Sequence, residues 1–217
     1  MKLSANTVSI LKNFSTINPS IVLKPGITIS TISPTKTIMA RATVYDEIPV
    51  QVAVYNLGRF ISSWSLFNDP DLEFGENSVK MSDSNRSIKY HYSDASIIMV
   101  PPEKEIKLPS IDAQCRLANR DIQNVIKALG VLALPEVAIV GDSTKIMLQA
   151  CNSKEPSSDA YSVDVGITDR TFRAIFKPEN LKMVDGDYDV EISSKGISQF
   201  VGAEATYWIA VETTSTF

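Results

Sequence analysis

Histidine, cysteine and clustered carboxylates carry most enzyme and metal chemistry, and this chain is poor in them. Its 217 residues include one histidine, His91, and two cysteines, Cys115 and Cys151. A Ser-His or Cys-His pair would have to use His91 as its base. His91 stands in Lys89-Tyr90-His91-Tyr92, an alternating strand-like run where it reads as a structural or surface residue. The cysteines fit no metal-ligand spacing and read as separate buried thiols of a reducing cytoplasm. Asp185-Gly186-Asp187-Tyr188-Asp189 is acidic, but its glycine is misplaced for a calcium loop, and it reads as a turn entering a strand. There is no G-x-x-x-x-G-K-[ST] run, no Gly-Lys dipeptide and no G-x-G-x-x-G run to cradle phosphates. No catalytic residue, metal ligand or cofactor is therefore expected, and the chemistry left is non-covalent.

The elements that could position such chemistry are helices carrying lysine and arginine. In residues 119–130, Ile122, Val125, Ile126 and Leu129 recur at i, i+3, i+4 and i+7, which is one helix face. Asn119 is placed to cap its start and Gly130 to end it. Arg120, Gln123, Asn124 and Lys127 lie on the other face. A shift of 115 residues lays Ser4 on Asn119, Ile10 on Val125, Leu11 on Ile126, Lys12 on Lys127 and Phe14 on Leu129. Two further helices are expected at residues 57–67 and 178–184, starting 121 apart. Pro178 suits the first turn of the last one. Between the helices, β-branched alternating runs predict strands. They fall at residues 37–45, 48–55, 71–74, 78–82, 86–92, 96–100 and 111–117, and at 136–140, 145–150, 161–167, 171–176, 187–193, 197–202 and 206–213. A Pro25-Gly26 turn joins two short strands before them. Each half thus reads helix, strands, helix, strands. Either this is one unit used twice or the helices are unrelated amphipathic segments.

The length suits two domains of about 100 residues each. We place them at 1–104 and 110–217, with 105–109 as the linker, the end of a proline-bounded, charged stretch, 101–109, that reads as extended. A hydrophobic fraction of 44% and a mean hydropathy near zero indicate a soluble globular chain. No run of 18 apolar residues exists to span a membrane, and Met1-Lys2-Leu3-Ser4 lacks a signal-peptide core.

Charge is unevenly distributed. The chain holds 21 basic and 25 acidic residues. The four helical segments and their immediate leads hold eight of the basic ones: Lys2, Lys12, Arg59, Arg116, Arg120, Lys127, Lys177 and Lys182. They hold two acids, Asp121 and Glu179, so the remainder is strongly negative. If the helices share one face, that face attracts polyanions while the rest repels them. The plainer reading is lysine on solvated helix surface. Cations without interleaved aromatics suit contact with a phosphate backbone, not base reading or stacking.

Met1-Lys2-Leu3-Ser4, Leu11-Lys12-Asn13-Phe14, Thr16-Ile17-Asn18 and Leu23-Lys24 resemble the sliding clamps of DNA polymerases, in particular those of large contractile-tailed bacteriophages. Tyr55, Leu57 and Phe60, then Ser65-Leu66-Phe67-Asn68-Asp69, extend the likeness. So do Gly186-Asp187-Tyr188, Lys195-Gly196 and the run from Tyr207 to Glu212. The likeness is close over residues 1–69, patchy over 70–180 and moderate beyond.

The resemblance implies an α+β protein of two repeated processivity-fold domains, with β-sheets outside and four short helices inside. It implies a homotrimeric ring that encircles duplex DNA without sequence preference and tethers the replicative polymerase by its C-terminal peptide. An ATP-dependent clamp loader would open the ring, in the cytoplasm of the infected bacterial host; the clamp itself would catalyse nothing. Relatives also engage phage late-transcription machinery. The eight cations would face DNA. Ile38, Ile98, Val100 and Val211 are expected to form the polymerase-peptide pocket, which the resemblance puts between the domains beside the linker. Edge strands in soluble proteins are paired or guarded. Tyr90, Tyr92, Tyr161, Val163 and Val165, on expected edge strands, are therefore candidates for the subunit interface. The rival reading is a β-rich phage structural or assembly protein that does not encircle DNA.

Overall fold

Alternating burial along the strands and one-sided burial along the helices build two units, Met1–Glu103 and Lys104–Phe217. The computed structural model describes every residue except Glu105, at the head of the expected linker, and Pro156. No helix among the described residues is long and apolar enough to cross a membrane.

The first unit begins with helix α1 (Ala5–Ile17). Ser4 is its N-cap and accepts from the Thr7 N–H at 3.3 Å. Ile10, Leu11 and Phe14 form its buried stripe. Pro19 cannot continue the helix, and the Asn18 N–H closes it on the Phe14 carbonyl at 3.0 Å. Strands β1 (Ile21–Leu23), β2 (Gly26–Ile32), β3 (Ile38–Ile48) and β4 (Val52–Val54) follow. β1 pairs antiparallel with β4, and β2 with β3. Gly26, at φ +114°, makes the tight turn after Pro25 that the dipeptide predicts. The strands expected at 37–45 and 48–55 are placed differently: β3 runs on to Ile48. Pro49 then removes the next backbone donor and leaves only the short β4.

Helix α2 (Leu57–Trp64) is capped by Asn56, whose Oδ1 accepts from the Arg59 N–H at 2.8 Å. It buries Leu57 and Phe60. Strands β5 (Asp71–Phe74), β6 (Ser78–Ser82) and β7 (Ser87–His91) form an antiparallel sheet in that order. The strand expected at 96–100 is not formed. Asp94 instead caps a single 3₁₀ turn, Ala95–Ile97, through its bond from the Ser96 N–H at 2.8 Å.

The second unit opens with β8 (Ala113–Leu117) and α3 (Asn119–Leu132). The N-cap is Ala118, which has no capping oxygen, so Asn119 is the first helical residue and not the cap. Asp187 takes over the capping: its carboxylate accepts the Asn119 N–H at 2.9 Å. The helix also passes through Gly130 and ends two residues later, where Ala133 adopts the left-handed conformation at φ 51°. Strands β9 (Glu136–Asp142), β10 (Lys145–Cys151), β11 (Tyr161–Ile167) and β12 (Thr171–Phe176) make an antiparallel sheet ordered β11-β10-β9-β12. Strands β13 (Tyr188–Ser193), β14 (Ile197–Gly202) and β15 (Ala205–Ala210) form a meander with β8 paired to β13.

The fourth expected helix shrinks to one 3₁₀ turn, Pro178–Asn180, so three α-helices and not four are formed among the described residues. Two tyrosines hold the rest of that segment open. The Val184 N–H donates to Tyr207 Oη at 3.1 Å, and Tyr188 Oη donates to the Val184 carbonyl at 2.5 Å. Val184's backbone is thereby committed to the core and unavailable to a helical ladder.

Candidate nucleic-acid interface

The cations sort by what holds them. Lys12 stands on the exposed side of α1, opposite Ile10 and Phe14. Arg120 and Lys127 stand on the exposed side of α3, opposite Val125 and Leu129, and Arg59 is exposed on α2. Among the described residues none of these four forms an ion pair. The other expected DNA contacts are less free. Lys2 pairs with Asp69 at 2.6 Å, and that hydrogen bond raises its pKa. Arg116 lies between Asp187 at 3.5 Å and Asp189 at 3.4 Å, and Lys177 is 3.8 Å from Glu212. Lys182 is exposed beyond the 3₁₀ turn.

Carboxylates on or just before strands fix where α1 and α3 begin. Asp46 on β3 accepts from the Ser4 N–H at 2.7 Å, from Ser4 Oγ at 2.7 Å and from Thr7 Oγ1 at 2.5 Å. Burial pushes its pKa up, but the bonds from Thr7 and Ser4 outweigh that and hold the carboxyl below its usual range. Asp187 does the same for α3, and Gln123 Nε2 donates to Asp185 at 2.7 Å. The acidic run 185–189 is thus occupied with seating α3. Spacing along the chain carries no signal of this, because only the fold sets the helix start opposite the carboxylate-rich turn. Among the described residues no three His, Cys, Asp or Glu side chains gather as metal ligands would.

His91 is exposed on β7. Burial pushes the Cys115 thiol up to about 12. Cys151 is buried, accepts a hydrogen bond from Arg173 Nη2 at 3.1 Å, and is likewise pushed up by burial.

The residues expected at a subunit interface sit at sheet margins. β7 is an outer strand of its sheet and β11 of its own. Tyr161, Val163 and Val165 share one half-buried face of β11, alternating with exposed Ser162, Asp164 and Gly166. Tyr90 meets Phe60 edge-on at 5.1 Å, and Tyr92 follows directly after β7. Of the four residues expected at a peptide pocket, Ile38, Ile98 and Val211 are buried, and only Val100 is exposed, at 45%.

The first unit also has a groove of about 380 Å³ that the sequence reading missed. Val22, Thr28, Ser30, Arg41 and Val100 line it, and Lys24 and Glu103 close one end as an ion pair. The available signal was the β2–β3 alternation, which turns Thr28, Ser30 and Arg41 outward between buried Ile29, Ala40 and Ala42.

Residues 3–99 match the family model described as DNA polymerase processivity factor, and residues 114–213 match the one described as gp45 sliding clamp, C terminal. The sliding clamp of Vibrio phage KVP40 is 35% identical over 98% of this chain and 99% of its own length. That of Enterobacteria phage T4 is 34% identical over 100% and 99%. Among solved structures, A. fulgidus PCNA bound by the C-terminal region of FEN-1 superposes with a TM-score of 0.73 at 13% identity, covering 99% of this chain and 98% of that one. The Helicobacter pylori β clamp bound to a DNA ligase peptide gives a TM-score of 0.73 at 9% identity, covering 98% of this chain and 65% of that one. The three-helix, sheet-rich architecture is therefore the clamp fold. With phage relatives matched from end to end, the chain belongs to the sliding-clamp family of DNA polymerase processivity factors.

Proposed function

We propose that this chain assembles into a homotrimeric ring around duplex DNA and tethers a replicative polymerase, conferring processivity without catalysing a reaction. The observation that carries this is the placement of Lys12, Arg59, Arg120 and Lys127. They are exposed on helices and lack carboxylate partners among the described residues, in a chain with an excess of acids. A ring holds DNA by topology, so tight contacts would only slow sliding. Lone cations touching phosphates suit that need, because such contacts are sequence-independent and exchange readily with salt. Lys2, Arg116, Lys177 and Lys182 complete the DNA-facing set. The first three share their charge with carboxylates, which softens their pull on DNA.

The domains are residues 1–104 and 110–217, joined by 105–109. Rings close when a margin of one copy pairs with a different margin of the next. We assign β7, with Tyr90 and Tyr92, and β11, with Tyr161, Val163 and Val165, to that pairing. An ATP-dependent loader opens the ring in the cytoplasm of an infected bacterium, and late-transcription factors use the same ring. The polymerase's C-terminal peptide docks at Val100, with buried Ile38 and Ile98 supporting the docking region in the first unit.

Light scattering combined with a primer-extension assay tests the reading. The expected mass is about 71 kDa, three chains of 23.8 kDa, with longer products in the presence of loader. A monomer at micromolar concentration that leaves product length unchanged would overturn it.

A further inference from the structure

One wall of the groove in the first unit is a piece of chain that runs past the hairpin, residues 100–103. Thr28, Ser30 and Arg41 line the hairpin face opposite the buried residues beneath α1, and Val22 extends that wall. Residues 100–103 lie along it. Arg41 Nη2 donates to the Pro102 carbonyl at 3.4 Å, and the Glu103 carboxylate is ion-paired with Lys24. That wall is thus an apolar residue, Val100, followed by two prolines and a carboxylate that ends on a cation. The pair is open to water, with the side chains 48% and 83% exposed. Solvent screens such a pair, so another carboxylate can replace Glu103 at small cost.

We propose that the Glu103 carboxylate is an internal stand-in for that of the polymerase tail, whose terminal carboxylate displaces it from Lys24. The tail's last apolar side chain then rests on Val22 and Val100, and Arg41 supplies a second donor to the carboxylate. Competition by Glu103 sets the affinity and keeps the tether reversible, so a polymerase can leave without the ring opening. A chain end suits the site because one carboxylate must reach Lys24 while an apolar anchor sits a few residues behind it. This inference rests on the tethering reading above.

The experiment is fluorescence anisotropy on the intact assembled protein. The probe is a synthetic peptide of about twelve residues from the C-terminus of the polymerase encoded alongside this chain, labelled at its N-terminus. It is prepared as free acid and as C-terminal amide. Wild type should bind the acid about three- to ten-fold more tightly than the amide. Glu103→Gln should bind the acid about two- to five-fold more tightly than wild type does. Lys24→Gln should erase both differences. Both substituted side chains are exposed, so unchanged thermal melting is expected and separates binding effects from folding effects. Equal binding of acid and amide, or no gain in Glu103→Gln, overturns the displacement mechanism while the tether stands. No binding of the free acid to wild type at any peptide concentration up to the millimolar range overturns the tether, and the displacement with it.

Discussion

Replacing Asp46 with alanine tests how the sheet seats the first DNA-facing helix. The carboxylate collects three donors: the Ser4 N–H, Ser4 Oγ and Thr7 Oγ1. Thr7 is fully buried, so water cannot replace its lost acceptor, although Ser4 Oγ at 3.1 Å remains. A hydrogen bond to a charged group contributes about 1.5–3 kcal/mol net, and the bonds of one carboxylate are not additive. The carboxylate also faces the positive end of α1, which adds about 0.3–1 kcal/mol. The variant should therefore lose about 2–4 kcal/mol of stability at neutral pH. Asp46→Asn, which keeps one acceptor, should lose about half that. Urea unfolding at fixed protein concentration reads these values, fixed because association contributes to stability. The folded pKa of Asp46 lies below its unfolded value, near 3.9. Its contribution is therefore fully present above the unfolded pKa and fades as pH falls through the lower, folded one. The gap between wild type and Asp46→Ala should be constant from pH 7 to about 5 and shrink below about 4. A gap under about 0.5 kcal/mol at pH 7, or one that persists unchanged into strong acid, would refute the reasoning.

Reversing Lys12 and Lys127 together to glutamate should leave stability within about 0.5 kcal/mol, since both are exposed and unpaired among the described residues. It should shorten primer-extension products and lower the salt slope of DNA association by about 0.9 per lost phosphate contact; unaltered products would mean that these lysines do not face DNA. Val163→Lys adds a charge to the half-buried face of β11 and should shift the light-scattering mass toward the monomer, whereas an undisturbed mass would move the subunit contact elsewhere. Because burial pushes both thiols up, native protein at pH 8 should react with iodoacetamide far more slowly than urea-unfolded protein. Equal rates in the two states would show that the thiols are not shielded.

Periodicity made α1, α2 and α3 legible because their apolar stripes are one-sided and continuous. It failed at residues 178–184, where the apolar residues also fit a helix. Tyr188 and Tyr207, distant in sequence, take Val184's backbone groups instead. The helix caps show the same division. Ser4 was readable as a cap because its oxygen serves its own helix, whereas α3 is capped by Asp187, 68 positions away. Charge counting found the helical cations but not their partners. Asp69, Asp187, Asp189 and Glu212 temper three of the eight basic groups, Lys2, Arg116 and Lys177, and only the fold brings them together. Hydrophobicity suggested Ile38, Ile98 and Val211 as pocket walls, yet apolar character marks buried packing as readily as a binding surface. The groove beside Val100 is not marked by any one run of sequence, because its lining mixes polar and apolar residues from three strands and a loop.

The central claim is that the protein holds DNA by encircling it, and retention on closed and cut DNA tests it most directly. Clamp is loaded onto a nicked circular plasmid with its loader and ATP, and the complex is separated from free protein by gel filtration in moderate salt. The plasmid is then cut once with a restriction enzyme. Retention on the circle and loss from the linear form within minutes is the predicted result, because a ring slides off an open end. Equal retention before and after cutting would mean that the protein grips DNA through its surface, and would contradict the account.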